Sequence, residues 1–128
     1  MKITVTSILV ADQAKALKFY TEILDFKKKR DIPLGDDRWL TVVSNEQPDG
    51  VELLLEPMKF EPARVYQRAL FDAGIPATVF SVDNINSEHG RLTALGVHFD
   101  MPPTQMGAVL LAVFNDTCGN KIQIAQTL

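Results

Sequence analysis

The sequence predicts an α+β fold made of two copies of one βαβββ unit, and three observations predict it. The second half of the chain repeats the first at an offset of about 71 residues. Ser7-Ile8-Leu9-Val10-Ala11-Asp12 returns as Val79-Phe80-Ser81-Val82-Asp83-Asn84, and Trp39-Leu40-Thr41-Val42-Val43 returns as Leu110-Leu111-Ala112-Val113-Phe114. Val51-Glu52-Leu53-Leu54-Leu55 returns as Ile122-Gln123-Ile124-Ala125-Gln126. Within each copy, period-two alternation on several short stretches surrounds one stretch of helical period. The length of 128 residues fits a single domain, divided as repeat 1–58, linking helix 59–75 and repeat 76–128. Two sheet-forming repeats can enclose a shared cleft, and such clefts are common ligand sites.

Residues 2–10 read as a strand with Val5, Ser7 and Leu9 on one face and Thr6, Ile8 and Val10 on the other. Asp12 is suited to cap the next helix, because its carboxylate accepts from free first-turn amides. That helix, about 13–24, carries Ala16, Leu17, Tyr20, Ile23 and Leu24 as a core stripe. Strands follow near 26–31, 38–44 and 51–56, the last two joined through Pro48-Asp49-Gly50. Lys27-Lys28-Lys29-Arg30 reads as the charged guard of an edge strand, with a polyanion patch as the other reading. A helix through 63–70 is stopped by Gly74 and Pro76 and has no counterpart in either repeat.

The second unit reads as a strand at 77–82, a helix at about 86–95 capped near Asn84 or Asn86, and strands near 97–100, 108–114 and 121–127. Pro102-Pro103 is expected to end the short strand at 97–100. Gly96 stands where a left-handed residue is wanted after a helix. Its counterpart Asp25 accepts that conformation less readily, so local strain is expected there.

Composition narrows the function classes. A net charge of −3, with both signs interspersed, supplies no basic stripe for a nucleic-acid backbone. The single cysteine, Cys118, excludes an intramolecular disulfide and suits a reducing compartment. No apolar run approaches the ~18–20 residues of a membrane span, and Met1-Lys2-Ile3-Thr4-Val5 alternates like a strand, unlike a signal peptide. The expected location is the cytoplasm, without nucleic-acid or membrane partners.

The two units, the leader Ile8-Leu9-Val10-Ala11-Asp12-Gln13, the helix end Phe19-Tyr20-Thr21-Glu22-Ile23-Leu24-Asp25-Phe26 and the closing Asp116-Thr117-Cys118-Gly119-Asn120-Lys121-Ile122-Gln123 together resemble the vicinal oxygen chelate superfamily. That group includes glyoxalase, bleomycin resistance proteins and extradiol dioxygenases. The resemblance implies mixed sheets curled into a half-barrel around a cleft, commonly in a homodimer. In metal-dependent members four ligands, usually His then Glu in each unit, lie on the first and last strands. Those positions fall on Val5 and Glu52 in the first unit and on Ala77 and Gln123 in the second. Only Glu52 has the family's ligand type. Zinc-like ions want at least three His, carboxylate or thiolate ligands, so neither a metal nor another cofactor is expected.

The leading expectation is a metal-free small-molecule binder similar to the antibiotic-sequestering members. Alternation sends Trp39, Thr41, Glu52, Leu54 and Gln123 to the cleft. Trp39 would stack on the ligand, Ser7, Glu52 and Gln123 would hydrogen-bond it, and Val5 and Ala77 would leave room. Arg38 is either an anion clamp or a solvated strand end. Glu52 is either a general acid or base in an apolar cleft or an ion-paired strand residue. The alternative function is a glyoxalase-type lyase, isomerase or dioxygenase using Glu52 with a weakly held metal. A scaffold without a ligand is the third reading. His89, His98 and Cys118 read as structural, with no acidic partner for His98 near it in sequence.

Overall fold

Alternation and helical period resolve into the expected elements, in two units that each carry their own sheet. The computed structural model describes residues 1–128, divided into Met1–Val65 and Tyr66–Leu128. The first unit contains β1 (Val5–Val10), α1 (Gln13–Lys18) continued by a π-helical turn (Phe19–Ile23), β2 (Lys27–Leu34), β3 (Asp37–Val43) and β4 (Glu52–Pro57). The unit boundary falls within α2 (Glu61–Asp72). The second unit continues with β5 (Thr78–Ser81), α3 (Ile85–Ala94), β6 (Phe99–Met106), β7 (Val109–Asn115) and β8 (Lys121–Thr127). The fold is α+β: two similar halves, each with a four-stranded mixed sheet. No helix is long and apolar enough to cross a membrane.

The first sheet runs β1-β4-β3-β2, with β1 parallel to β4 and the other pairs antiparallel. α1 packs on β3 and β4. Ile8, Val10, Leu40, Val42, Leu53 and Leu55 are buried, as are Ala16 and Tyr20. Each large side chain so buried contributes roughly 1.5–3 kcal/mol. Gln13 pins the helix start to the sheet: its Nε2 donates to the carbonyls of Arg38 (2.7 Å) and Leu55 (2.8 Å), while its Oε1 accepts from the Arg38 amide. β2 is an edge strand, and all its residues from Lys27 to Leu34 are exposed, as the guard reading of the basic run requires.

The second sheet repeats this order as β5-β8-β7-β6, again with the first strand parallel to the last. Ile85, Leu92, Ala112, Phe114, Ile122 and Ile124 form its core under α3. Both helices carry the same cap: Asp12 Oδ1 accepts from the Lys15 amide and Asn84 Oδ1 from the Ser87 amide. The caps stand 72 residues apart, yet the left-handed residues that end the helices, Asp25 and Gly96, stand 71 apart. The π-helical turn absorbs this extra residue of the first unit. The Phe26 amide there reaches back to the Tyr20 carbonyl, whereas the Val97 amide bonds Leu92, one residue nearer.

One expectation is corrected here. Pro102-Pro103 do not end the strand; β6 continues through them to Met106. It is an edge strand, and its register slips between Met101 and Thr104, so the missing amides interrupt no regular ladder.

The turn before β8 is closed by side chains. Asp116 Oδ1 accepts from the Cys118 and Asn120 amides, and Asn120 Nδ2 donates to Asp116 Oδ2. Gln67, buried on α2, donates to the Cys118 carbonyl and to Asn120 Oδ1. Gly119 lies against Gln67 at φ +99°, and a Cβ there would sit 2.6 Å from Gln67 Oε1. Cys118 is buried in this turn as a structural residue.

Candidate functional site

The chemistry-bearing face of the first sheet is the one turned away from α1. Strand pairing sets Val5 opposite Glu52, Ser7 opposite Leu54, and Leu54 opposite Thr41, so these residues share that face. Trp39, two residues from Thr41, shares it and is partly exposed opposite Ile32. Val5 and Ser7 are exposed, while Thr41 and Leu54 are buried.

Glu52 stands in this surface with two donors on one oxygen. Thr41 Oγ1 donates to Glu52 Oε1 at 2.7 Å, and Arg30 Nε donates to the same atom at 3.0 Å. The Glu52 side chain is 12% exposed and that of Arg30 51%. Of the two readings of Glu52, geometry favours the ion-paired strand residue over an acid or base isolated among apolar groups. Its second oxygen, Oε2, and both Arg30 Nη atoms have no protein hydrogen bond.

Arg30 is the residue that sequence reasoning missed. Lys28 lies opposite Val42 and Arg30 opposite Thr41, so two steps along β2 match one step along β3. This β-bulge at Lys29 moves Arg30 from the Leu40 face to the Glu52 face. Without the bulge, Arg30 would stand with Val42 and Leu40 on the helix side. Lys29 itself reaches the β3–β4 loop, where its Nζ donates to the Pro48 carbonyl at 3.1 Å. Period-two reading cannot place a bulge; the only hint was a run of four bases near a lone strand carboxylate.

The sequence leaves Arg38 as an anion clamp or a solvated strand end. Alternation places it with Leu40 and Val42 on the helix side, and its guanidinium is already committed to Asp31 through Nε–Oδ1 (2.9 Å) and Nη2–Oδ2 (2.7 Å). The Arg38 hydrogen bond holds the Asp31 carboxyl below the usual aspartate range, with Lys28 adding to the effect. The same bond raises Arg38.

The corresponding face of the second sheet carries Gln123, opposite both Val79 and Val113, with Leu111 opposite Ala125. Ala77 lies one pair further down, its amide donating to the Lys121 carbonyl at 2.8 Å. Val5 faces Glu52 in the first unit, whereas Gln123 faces Val79, so the first and last strands of the two units differ by two residues in register. A shift of two keeps every side chain on its face. Lys121 Nζ pairs with Asp100 and lies 4.3 Å over the Phe71 ring. His98 does have an acidic neighbour, since its Nε2 is 3.4 Å from Asp100 Oδ1. His89 packs edge-on against Phe99.

The donor set does not fit a zinc-like ion. Val5 and Ala77 have no donor atom, Gln123 offers a neutral amide, and Arg30 and Thr41 hold the Glu52 carboxylate. No three His, Cys, Asp or Glu side chains are grouped to hold a metal anywhere in the chain.

Comparison with known proteins agrees with this architecture. Residues 2–124 match the model of the "Glyoxalase/Bleomycin resistance protein/Dioxygenase superfamily". The chain is 56% identical to the uncharacterized protein YurT of Bacillus subtilis (strain 168), over 98% of this chain and 99% of that one. Among solved structures, UcmS2 superposes with a TM-score of 0.85 at 30% identity, covering 99% of this chain and 98% of its own. TnmS3, an antibiotic binding protein from Streptomyces sp. CB03234, superposes at 0.79 with 25% identity, covering 100% and 97%.

Proposed function

The chain belongs to the glyoxalase/bleomycin resistance protein/dioxygenase superfamily, and on that premise we propose that it is a metal-free small-molecule binding protein. The observation that carries this reading is a fixed polar group set in an otherwise apolar strand surface. Glu52 and Arg30 form that group, and Val5, Trp39 and Leu54 form its surroundings. Apolar walls with a few placed polar atoms are the usual make-up of a ligand site. TnmS3, named as an antibiotic binding protein, supports the same reading. In it Trp39 stacks on the ligand, while Ser7 and Glu52, the latter held by buried Thr41, fix its orientation. The reading includes a homodimer and a cytoplasmic location, the latter in keeping with a single, buried cysteine.

Glu52 as a general base is the second reading, favoured by its unengaged Oε2. One experiment separates the two. Trp39 is the only tryptophan, so its emission reports on the face directly. Titration with a panel of flat aromatic compounds is expected to quench it saturably without consuming the compound. Trp39→Leu, followed by calorimetry, is expected to weaken binding about fivefold, the worth of one aromatic contact. Turnover by the wild type that Glu52→Gln abolishes at unchanged affinity would replace the binder with an enzyme. Absence of any saturable response across the panel would remove both.

A further inference from the structure

Resting on the small-molecule reading, we infer that the site selects ligands whose edge presents a hydrogen-bond donor beside an acceptor, as a cis-lactam or an adjacent hydroxyl and carbonyl do. The first unit contains two arginine–carboxylate pairs within a few residues, and they are built differently. Arg38 and Asp31 close both of their bonds, Nε to Oδ1 and Nη2 to Oδ2. Such a fork leaves neither partner with its best edge to offer. Arg30 and Glu52 make one bond only, from Nε to Oε1. Thr41 Oγ1 supplies the second bond to that same oxygen, at 2.7 Å, and so holds the carboxylate with Oε2 turned to other partners. The pair therefore leaves a donor edge on the Arg30 Nη atoms and an acceptor on Glu52 Oε2 without protein hydrogen bonds.

A plain anion would meet Arg30 favourably and Glu52 Oε2 unfavourably. A plain cation would meet the reverse. A neutral group with N–H next to C=O satisfies both, donating to Oε2 and accepting from Nη. The neighbours Trp39, Ile32, Val5 and Leu54 are apolar, which suits a flat ring system carrying that edge. The bulge at Lys29 brings Arg30 to this position, and bulges commonly re-aim a side chain beside a working site.

Calorimetric titration with three ring systems of similar size tests the inference. Quinolin-2-one carries the donor–acceptor edge, 2-methoxyquinoline keeps only acceptors, and 2-naphthoate carries an anion. Wild-type protein is expected to bind quinolin-2-one at least ten times more tightly than the other two. Arg30→Lys, which keeps the charge and loses the fork, and Glu52→Gln should each remove most of that preference, chiefly by weakening quinolin-2-one. Thermal melts of both variants check that they are folded. Equal affinity for all three compounds would overturn the donor–acceptor edge and leave the binding reading standing. Tightest binding of 2-naphthoate, improved in Glu52→Gln, would overturn it in favour of an anion site. If none of the three binds while other aromatic compounds quench Trp39, the inference fails alone; if nothing quenches Trp39, the binding reading fails with it.

Discussion

The two sheets share strand order, helix caps and core, and they differ on the face turned away from the helix. In the first unit that face holds Glu52 fixed by Arg30 and Thr41; in the second the matching surface is Gln123 among Val79, Val113 and Ala125. The closing turns differ in the opposite sense. Residues 44–50 before β4 are exposed, whereas Asp116, Cys118 and Asn120 before β8 are buried, the last two bound by Gln67. The repeat thus keeps what every copy needs to fold, an apolar layer and a capped helix. Polar specialisation has gone to the face of one copy and the closing turn of the other.

The largest test of this contrast is at the glycines. Gly119→Ala would place a methyl 2.6 Å from buried Gln67 at a left-handed backbone position. It is expected to cost about 3 kcal/mol, a fall on the order of 10 °C in Tm. Gly35→Ala, also left-handed at φ +59° but with open space around it, is expected to cost only about 1 kcal/mol. Equal losses in a thermal melt would mean that the Gln67 contact contributes nothing to the second unit.

A smaller and opposite effect is expected at the helix ends. Asp25 holds φ +65° where the second unit uses Gly96 at φ +88°. Asp25→Gly should stabilise by about 0.5–1 kcal/mol in urea unfolding, and Gly96→Asp should destabilise by a similar amount. If both substitutions destabilise, the Asp25 side chain has a role beyond its backbone conformation.

The smallest effect is a pH dependence peculiar to the first unit. The Asp31 carboxyl is held below its ordinary value by Arg38. Its contribution is therefore fully present above the unfolded aspartate value, about pH 4, and is lost as pH falls through the lower folded value. Arg38→Met should lie closest to wild type in stability near pH 2 and furthest from it above about pH 5. The pair is solvent-exposed, so the gap is small and should narrow further in high salt. A gap that widens on acidification would mean that Asp31 is not the group responsible.

Much of the fold was legible because its signals are local. Asp12 and Asn84 announce helix starts, and Leu40, Val42, Ile122 and Ile124 alternate onto the core side as period two requires. Gln13, by contrast, gave no local sign that it would bind two strand carbonyls some 25 and 42 residues away. Asn120 likewise gave no local sign of its burial, since the Gln67 that bonds it arrives from a helix about 50 residues earlier. His98 and Asp100 were separable only by assuming that neighbours two apart do not meet.

The sequence by itself determined two capped βαβββ units, a charged edge on β2 and a lone carboxylate at a position the family reserves for a ligand. The first two follow from periodicity and capping, which each stretch of chain expresses through its own backbone, and the third from the family resemblance. Tertiary structure alone decided which face Arg30 occupies, because a bulge is settled by pairing between β2 and β3. One extra residue on one strand reverses every side chain beyond it, and so turned a guard residue into the partner of Glu52.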